Sequence, residues 1–283
     1  MKHAYLILAH NEWGLLQTLI SCIDDVRNEI YVHIDAKAKD LPVLHAEHAG
    51  LKVLAERVDV RWGDLSVVEG EYALFEAAVA NGPYAYYHLL SGADLPLKDQ
   101  NYIHDFCDAH QGREFIGYTL TEISPEVVRK VQRWHLFPKD FRDACIVKKA
   151  IRAGFLRLQE VLGIKRNKDV DFKKGSQWVS VTDGMARLFL EKKEWVEAVF
   201  RNTFCSDEMV FQTLCWQSSY RADIFDTGSD GHGCMRAIGW RDGALVDWCA
   251  EDYEGLAASE ALFARKFNSG DMEFIGKIVD LSR

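Results

Sequence analysis

Hydrophobic positions fall into two rhythms along the first hundred residues. Strand-like runs occur at Ala4–Ala9, Glu29–Ile34, Val58–Arg61 and Tyr84–Leu90. Runs of this length bounded by turn residues read as buried strands. Between them, apolar residues recur at helical spacing over Trp13–Arg27 and Ser66–Ala80. Ser66 and Glu69 have the spacing of a capping box, which would make Ser66 the start of the second helix. The βαβαβ alternation predicts an α/β fold, with a mixed, mainly parallel central sheet flanked by helices. Further on, Gln177–Val181 reads as a strand, Asp183–Phe200 as a helix, and Asp226–Gly243 as an irregular stretch rich in Gly and Asp.

Charge changes this picture in one place. The 283 residues carry a net charge of -9, which argues against nonspecific nucleic-acid binding. Residues 129–174 nevertheless hold 14 basic side chains against five acidic ones, marking a basic helical insert in what reads as a single domain spanning 1–283. Within it, Phe141–Gly163 alternates aliphatic and basic residues at helical spacing. That composition suits a helix lying on an anionic membrane surface, and equally one that packs its apolar stripe on the domain and solvates its lysines. The apolar stretch before His10 is too short for a signal-peptide core or a membrane span. Seven scattered cysteines without a CxxC pair read as mostly reduced thiols, so a cytoplasmic location is expected.

Candidate chemistry sits where apolar runs end. Tyr86 to Lys98 (YYHLLSGADLPLK) breaks at Ser91-Gly92-Ala93-Asp94, and Val32-His33-Ile34-Asp35 also ends on a carboxylate. Open α/β sheets bind ligands at the carboxyl ends of their strands, although a turn or helix cap would account for each acid as well. Lys174-Gly175-Ser176-Gln177-Trp178 places a small-residue turn before an aromatic that could be a sugar platform or core. Cys205-Ser206-Asp207-Glu208 precedes an apolar run and also suits a plain helix N-terminus. Arg236-Ala237-Ile238-Gly239-Trp240 and Phe263-Ala264-Arg265-Lys266-Phe267 bring basic residues near the C-terminus.

In order, the strings ILAHNE, VHIDAK, RWGDLSVVE, HLLSGADLPLK, GSQWV, SDEMVFQT, RAIGW and LFARKF, from residue 7 to 267, resemble the core-2/I-branching β-1,6-N-acetylglucosaminyltransferase family (glycosyltransferase family 14), which includes the protein xylosyltransferases. The resemblance implies a GT-A-like fold, a UDP-sugar donor and an inverting transfer without a divalent metal, so no cofactor and no metal ligands. UDP-N-acetylglucosamine is the expected donor, with UDP-xylose, UDP-glucose and UDP-galactose open. Without a metal, side-chain cations must neutralise the departing phosphate, and the resemblance assigns that role to Arg236 and Lys266. Arg265 is given no phosphate contact, because adjacent residues point differently. Glu208 matches the family's base, with Asp207 behind it in a supporting or capping place, and His10, Asp35 and Asp94 would surround the nucleoside. Glu122, Lys130 and Arg133 have the spacing of the acceptor-sugar residues, though a solvated charged loop accounts for them equally; Trp178 is the possible sugar platform. The only literal Asp-x-Asp, Asp169-Val170-Asp171, lies in the basic insert and is discounted.

Eukaryotic members carry a membrane anchor, a stem and disulfides, so the chain resembles a compact bacterial-type version. It is expected to glycosylate a glycan or lipid-linked oligosaccharide in surface polysaccharide synthesis, in peripheral contact with the inner face of the cytoplasmic membrane. Two other readings stay open: a metal-dependent sugar-nucleotide hydrolase or nucleotidyltransferase, and an inactive scaffold subunit.

Overall fold

The structure is a computed structural model that describes residues 1–119 and 124–283. Its main sheet contains β1 (His3–Ala9), β2 (Asn28–Ile34), β3 (Gly50–Val53), β4 (Tyr87–Ser91) and, after a short β5 (Asp94–Pro96) that belongs elsewhere, β6 (Ser180–Val181). Spatial order is β3-β2-β1-β4-β6. The first four strands are parallel, and β6 runs antiparallel to β4.

Strands β1 and β4 read as unbroken apolar runs because both sheet faces are covered. Side-chain alternation splits the core in two. Ala4 and Leu6 point toward the helices Ser66–Val79, Asp183–Glu191 and Val210–Trp216. Tyr5, Ile7 and Ala9 point toward the helices Trp13–Cys22, Gln100–Ala109 and Met272–Asp280.

A second sheet has the order β5-β10-β7, with β7 at Arg236–Ile238 and β10 at Phe263–Arg265. The central β10 pairs antiparallel with β5 and parallel with β7. Between β7 and β10, β8 (Trp240–Arg241) and β9 (Ala244–Leu245) form a hairpin. Its turn, Asp242-Gly243, has positive φ at both residues (50° and 76°), which an Asp-Gly pair accommodates.

Several boundaries differ from the sequence pattern. Val58–Arg61 is not a strand; the third strand is Gly50–Val53, an edge strand too exposed to show an apolar run. Val58 is held instead by its amide bond to His33 Nε2. The second helix does start at Ser66, as the sequence suggests, but not through a capping box: the Ser66 Oγ accepts from the Arg61 amide, while its own amide donates to Asp64. The first helix stops at Cys22, after which Asp24 accepts from the Glu47, His48 and Ala49 amides. The stretch from 183 to 200 is two helices that meet at Lys192, and only Ser180–Val181 of the expected strand pairs. Asp226–Gly243 contains a short helix, Asp230–Cys234, as well as β7. All seven cysteines are free.

Candidate active site

The carboxyl ends of β1, β2 and β4 open on one side of the main sheet. His10 follows β1 and is exposed. Burial of its ring lowers its pKa; Asp35 opposes that shift, while Lys37, Arg142 and Lys266 add to it. These charges therefore converge on the end of β1. Asp35, buried at the end of β2, accepts from the Lys37 amide (2.9 Å) and pairs with Lys37 Nζ (2.7 Å).

Asp94 is fully buried at the junction between the sheets. It accepts from the Ser91 amide (2.9 Å) and the Ser91 hydroxyl (2.6 Å), and its Oδ1 lies 3.4 Å from Arg265 Nε. The register makes this pairing direct, since Arg265 is the cross-strand partner of Asp94. The Arg265 guanidinium stacks 4.3 Å from the ring centre of Trp178. Burial pulls down the pKa of Arg265, and the Asp94 charge opposes that most strongly. Lys266, the next residue, reaches Asp247 Oδ1 at 3.0 Å.

Glu208 ends the turn Ser206–Glu208. Its carboxylate is one-third exposed and lies between two ammonium groups, Lys130 at 3.4 Å and Lys174 at 3.5 Å. Both lysines also reach Glu126, at 2.9 and 3.6 Å. Burial would lower the pKa of Lys130, but Glu208 and Glu126 outweigh it and hold the group above its ordinary value. The turn is fixed by close backbone packing. Gly175 N donates to Glu208 O (2.9 Å), and a Cβ on Gly175 would lie 1.9 Å from Gly117 O. The Ser176 amide bonds Asp230 Oδ1 at 2.7 Å, completing the seam.

Two more carboxyls lie beneath Glu208. Asp207 Oδ1 is buried without a hydrogen-bond partner. Burial, then the Glu208 charge, pushes its pKa up to about 7. Glu71 is fully buried; Gln177 Nε2 donates to one of its oxygens (2.7 Å), and the other has no partner. Burial, with Asp207 adding to it, raises the Glu71 pKa well above the ordinary carboxylate range. Glu71 therefore lies beside Asp207, and Asp207 beside Glu208.

The site thus gathers a carboxylate held between amines and a buried Arg–Asp pair over an indole, beside three strand ends carrying polar groups. The model of the Core-2/I-branching enzyme family matches residues 3–271.

The chain belongs to the Core-2/I-branching enzyme family.

This is a family of glycosyltransferases, and the protein is a transferase of that kind. No curated protein matches it.

Against the roles the Core-2/I-branching resemblance implies, the structure groups His10, Asp35, Asp94, Lys130, Glu208 and Lys266 along this side, whereas Trp178 is a core residue, buried beneath Arg265. It does not bring Arg236 there. Arg236 is fully buried beneath β10, donating to Cys234 O (2.7 Å), Val179 O (3.2 Å) and Ser180 Oγ (2.8 Å), with its guanidinium 4.4 Å from the Phe263 ring centre. The inward face of β7 turns it away from the strand ends, and Arg265 stands at them instead. Arg133 also separates from Lys130. The helix Pro125–Val131 ends before it, and Arg133 folds back to donate to Gln132 O, in a hollow shared with Arg129 and Glu160. Glu122 lies outside the described residues. Asp171, from the discounted Asp-x-Asp, pairs with Lys173 at 2.5 Å.

Sequence reasoning weighed Arg265 and set it aside, and it did not single out Lys174 or Glu126. A signal for Lys174 was present, since it opens the same Lys-Gly-Ser turn that supplies Trp178. Glu71 carried none, because a lone acid in a helical run reads as a solvated position.

Proposed function

We propose that the protein is a GT-A-type inverting glycosyltransferase that works without a divalent metal. It would move a sugar from a UDP-sugar, N-acetylglucosamine being the first candidate, to a lipid-linked glycan acceptor used in surface polysaccharide synthesis. The observation that carries this reading is the Glu208 carboxylate, exposed at the strand ends and held between Lys130 and Lys174.

In the proposed step, the acceptor hydroxyl attacks the anomeric carbon as Glu208 takes its proton. The bond from that carbon to the phosphate oxygen breaks on the opposite face, and the electron pair leaves with the diphosphate. Arg265 and Lys266 supply the positive charge that this leaving group requires. Arg265 enters this role in place of Arg236, because its guanidinium is the one at the strand ends.

Glu208→Gln tests the step. It removes the proton acceptor and preserves size, so transfer should fall by at least ~100-fold, the lower range for a positioned general base. Calorimetric UDP affinity should stay within about twofold, as expected of a group that acts only in the transition state. An active Gln variant would sink the mechanism. Loss of activity in EDTA would favour the metal-dependent alternative.

A further inference from the structure

The helix Ile146–Val161 is mounted with its apolar stripe outward. Only Leu156 and Gln159 are buried along it. Gln159, a polar residue, fastens the inner face through two bonds of 2.9 Å to the Trp134 backbone. Val147, Ile151, Leu158, Val161 and Leu162 are 48–72% exposed, and at about 100° per residue they fall within one narrow sector of the helix. Nothing among the described residues covers that sector. Exposed apolar stripes of this kind mark interaction surfaces.

We propose that this helix docks the protein on an anionic lipid surface. Charge selects the partner. Residues 141–168 hold eight basic side chains against two acidic ones, in a chain of net charge -9. Arg157 is exposed on the flank of the stripe, and Lys165 is exposed just past the helix end. Apolar residues inserted at the acyl boundary, with lysines and arginines beside the headgroups, is the arrangement of an interfacial helix. A second copy of the chain is a poorer occupant, because a two-fold contact through this stripe would set the same basic flank against itself.

The position of the helix gives docking a consequence. Phe141 packs on Phe204 at 4.2 Å, three residues before Asp207, and Arg142 lies 5.3 Å from the ring centre of Trp62, beside the helix that carries Glu71. The docked face therefore adjoins the Glu208 site and would hold it close to a lipid-linked acceptor. This deepens the acceptor reading above and rests on it. The test needs no transfer, so the two can fail separately.

The full chain is sedimented with phosphatidylcholine vesicles, with and without phosphatidylglycerol. Binding is expected only with phosphatidylglycerol, and it should weaken as salt rises. Each basic residue at an anionic surface contributes about a fivefold factor, so an Arg157→Glu/Lys165→Glu variant should bind about 25-fold more weakly. Val147→Ser/Leu158→Ser/Val161→Ser should also release the protein. Both variants alter exposed positions, so unchanged thermal melting shows that they are folded. The proposal is overturned if the chain ignores anionic vesicles or binds neutral ones equally well. It is also overturned if the wild-type chain forms a dimer that the serine variant abolishes.

Discussion

Arg236→Ala separates a structural arginine from a ligand-binding one. The side chain is fully enclosed and bonded to Cys234 O, Val179 O and Ser180 Oγ. Two of those acceptors keep other partners: the Leu89 amide bonds Val179 O, and His88 shares the Ser180 hydroxyl. Cys234 O is left bare, at about 1–3 kcal/mol. Deleting so long a buried side chain adds a cavity cost of about 2–5 kcal/mol. Removing a desolvated cation offsets part of the total, since burial already disfavours its charged form. A net loss of about 3 kcal/mol remains, lowering the melting temperature by roughly 6 °C for a chain of this size.

Differential scanning calorimetry reads the stability, and isothermal titration with UDP well below the melting temperature reads the site. UDP affinity of the folded Arg236→Ala protein should match the wild type. Arg265→Ala should weaken it by about 10- to 150-fold, the loss of one charge-assisted bond. A stable Arg236→Ala protein that no longer binds UDP would refute the reasoning, because it would put that guanidinium on the ligand.

Three other outcomes are expected. Asp207, with its pKa raised to about 7, ionises as pH rises through neutrality and adds negative charge beside Glu208, favouring proton uptake from the acceptor; kcat should rise through about pH 7, and Asp207→Asn should remove that inflection. Gly175→Ala should abolish transfer and cost stability, since its Cβ would collide with Gly117 O and shift the strand that holds the Glu208 turn; an active variant with an unchanged melting temperature would contradict the packing. His3 and His88 are buried with depressed pKa values, that of His3 near 2, chiefly through burial. The unfolded chain then takes up protons that the folded chain refuses, so their contribution is intact above about pH 6.5 and is lost as pH falls. Between pH 6.5 and 4.5 the raised carboxyls Glu71, Glu114 and Asp207 oppose the loss, because there the folded state binds more protons than the unfolded one. Below that range the buried histidines lower stability as pH falls, and His3→Gln should flatten the slope measured by urea unfolding by up to about 1.4 kcal/mol per pH unit.

The interior strands were legible because both of their faces are buried, so β1, β2 and β4 read as unbroken apolar runs. The edge strand Gly50–Val53 has no such signature, and Val58–Arg61 imitated it. Lys130 and Arg133 have a spacing that a continuing helix would align, yet the helix stops at Val131 and sends them apart. The exchange of Arg236 for Arg265 has a similar origin. Arg265 borders the site because β10 pairs with β5. That contact joins Arg265 to a partner, Asp94, 171 positions earlier in the chain, and no local pattern encodes it. The outward stripe of Ile146–Val161 was visible as periodicity; its direction was not, because amphipathicity does not say which face meets the body.

The two bonds from Ser91 to Asp94 have a consequence for turnover. They satisfy Asp94 whether or not Arg265 is present, so the arginine can leave for an arriving anion without stranding a bare carboxylate. When the anion goes, the same carboxylate is waiting to take the arginine back. Entry and exit then become an exchange of partners across one guanidinium. An anion gripped there has a standing competitor, which limits how tightly a spent leaving group can be retained and keeps the cycle moving.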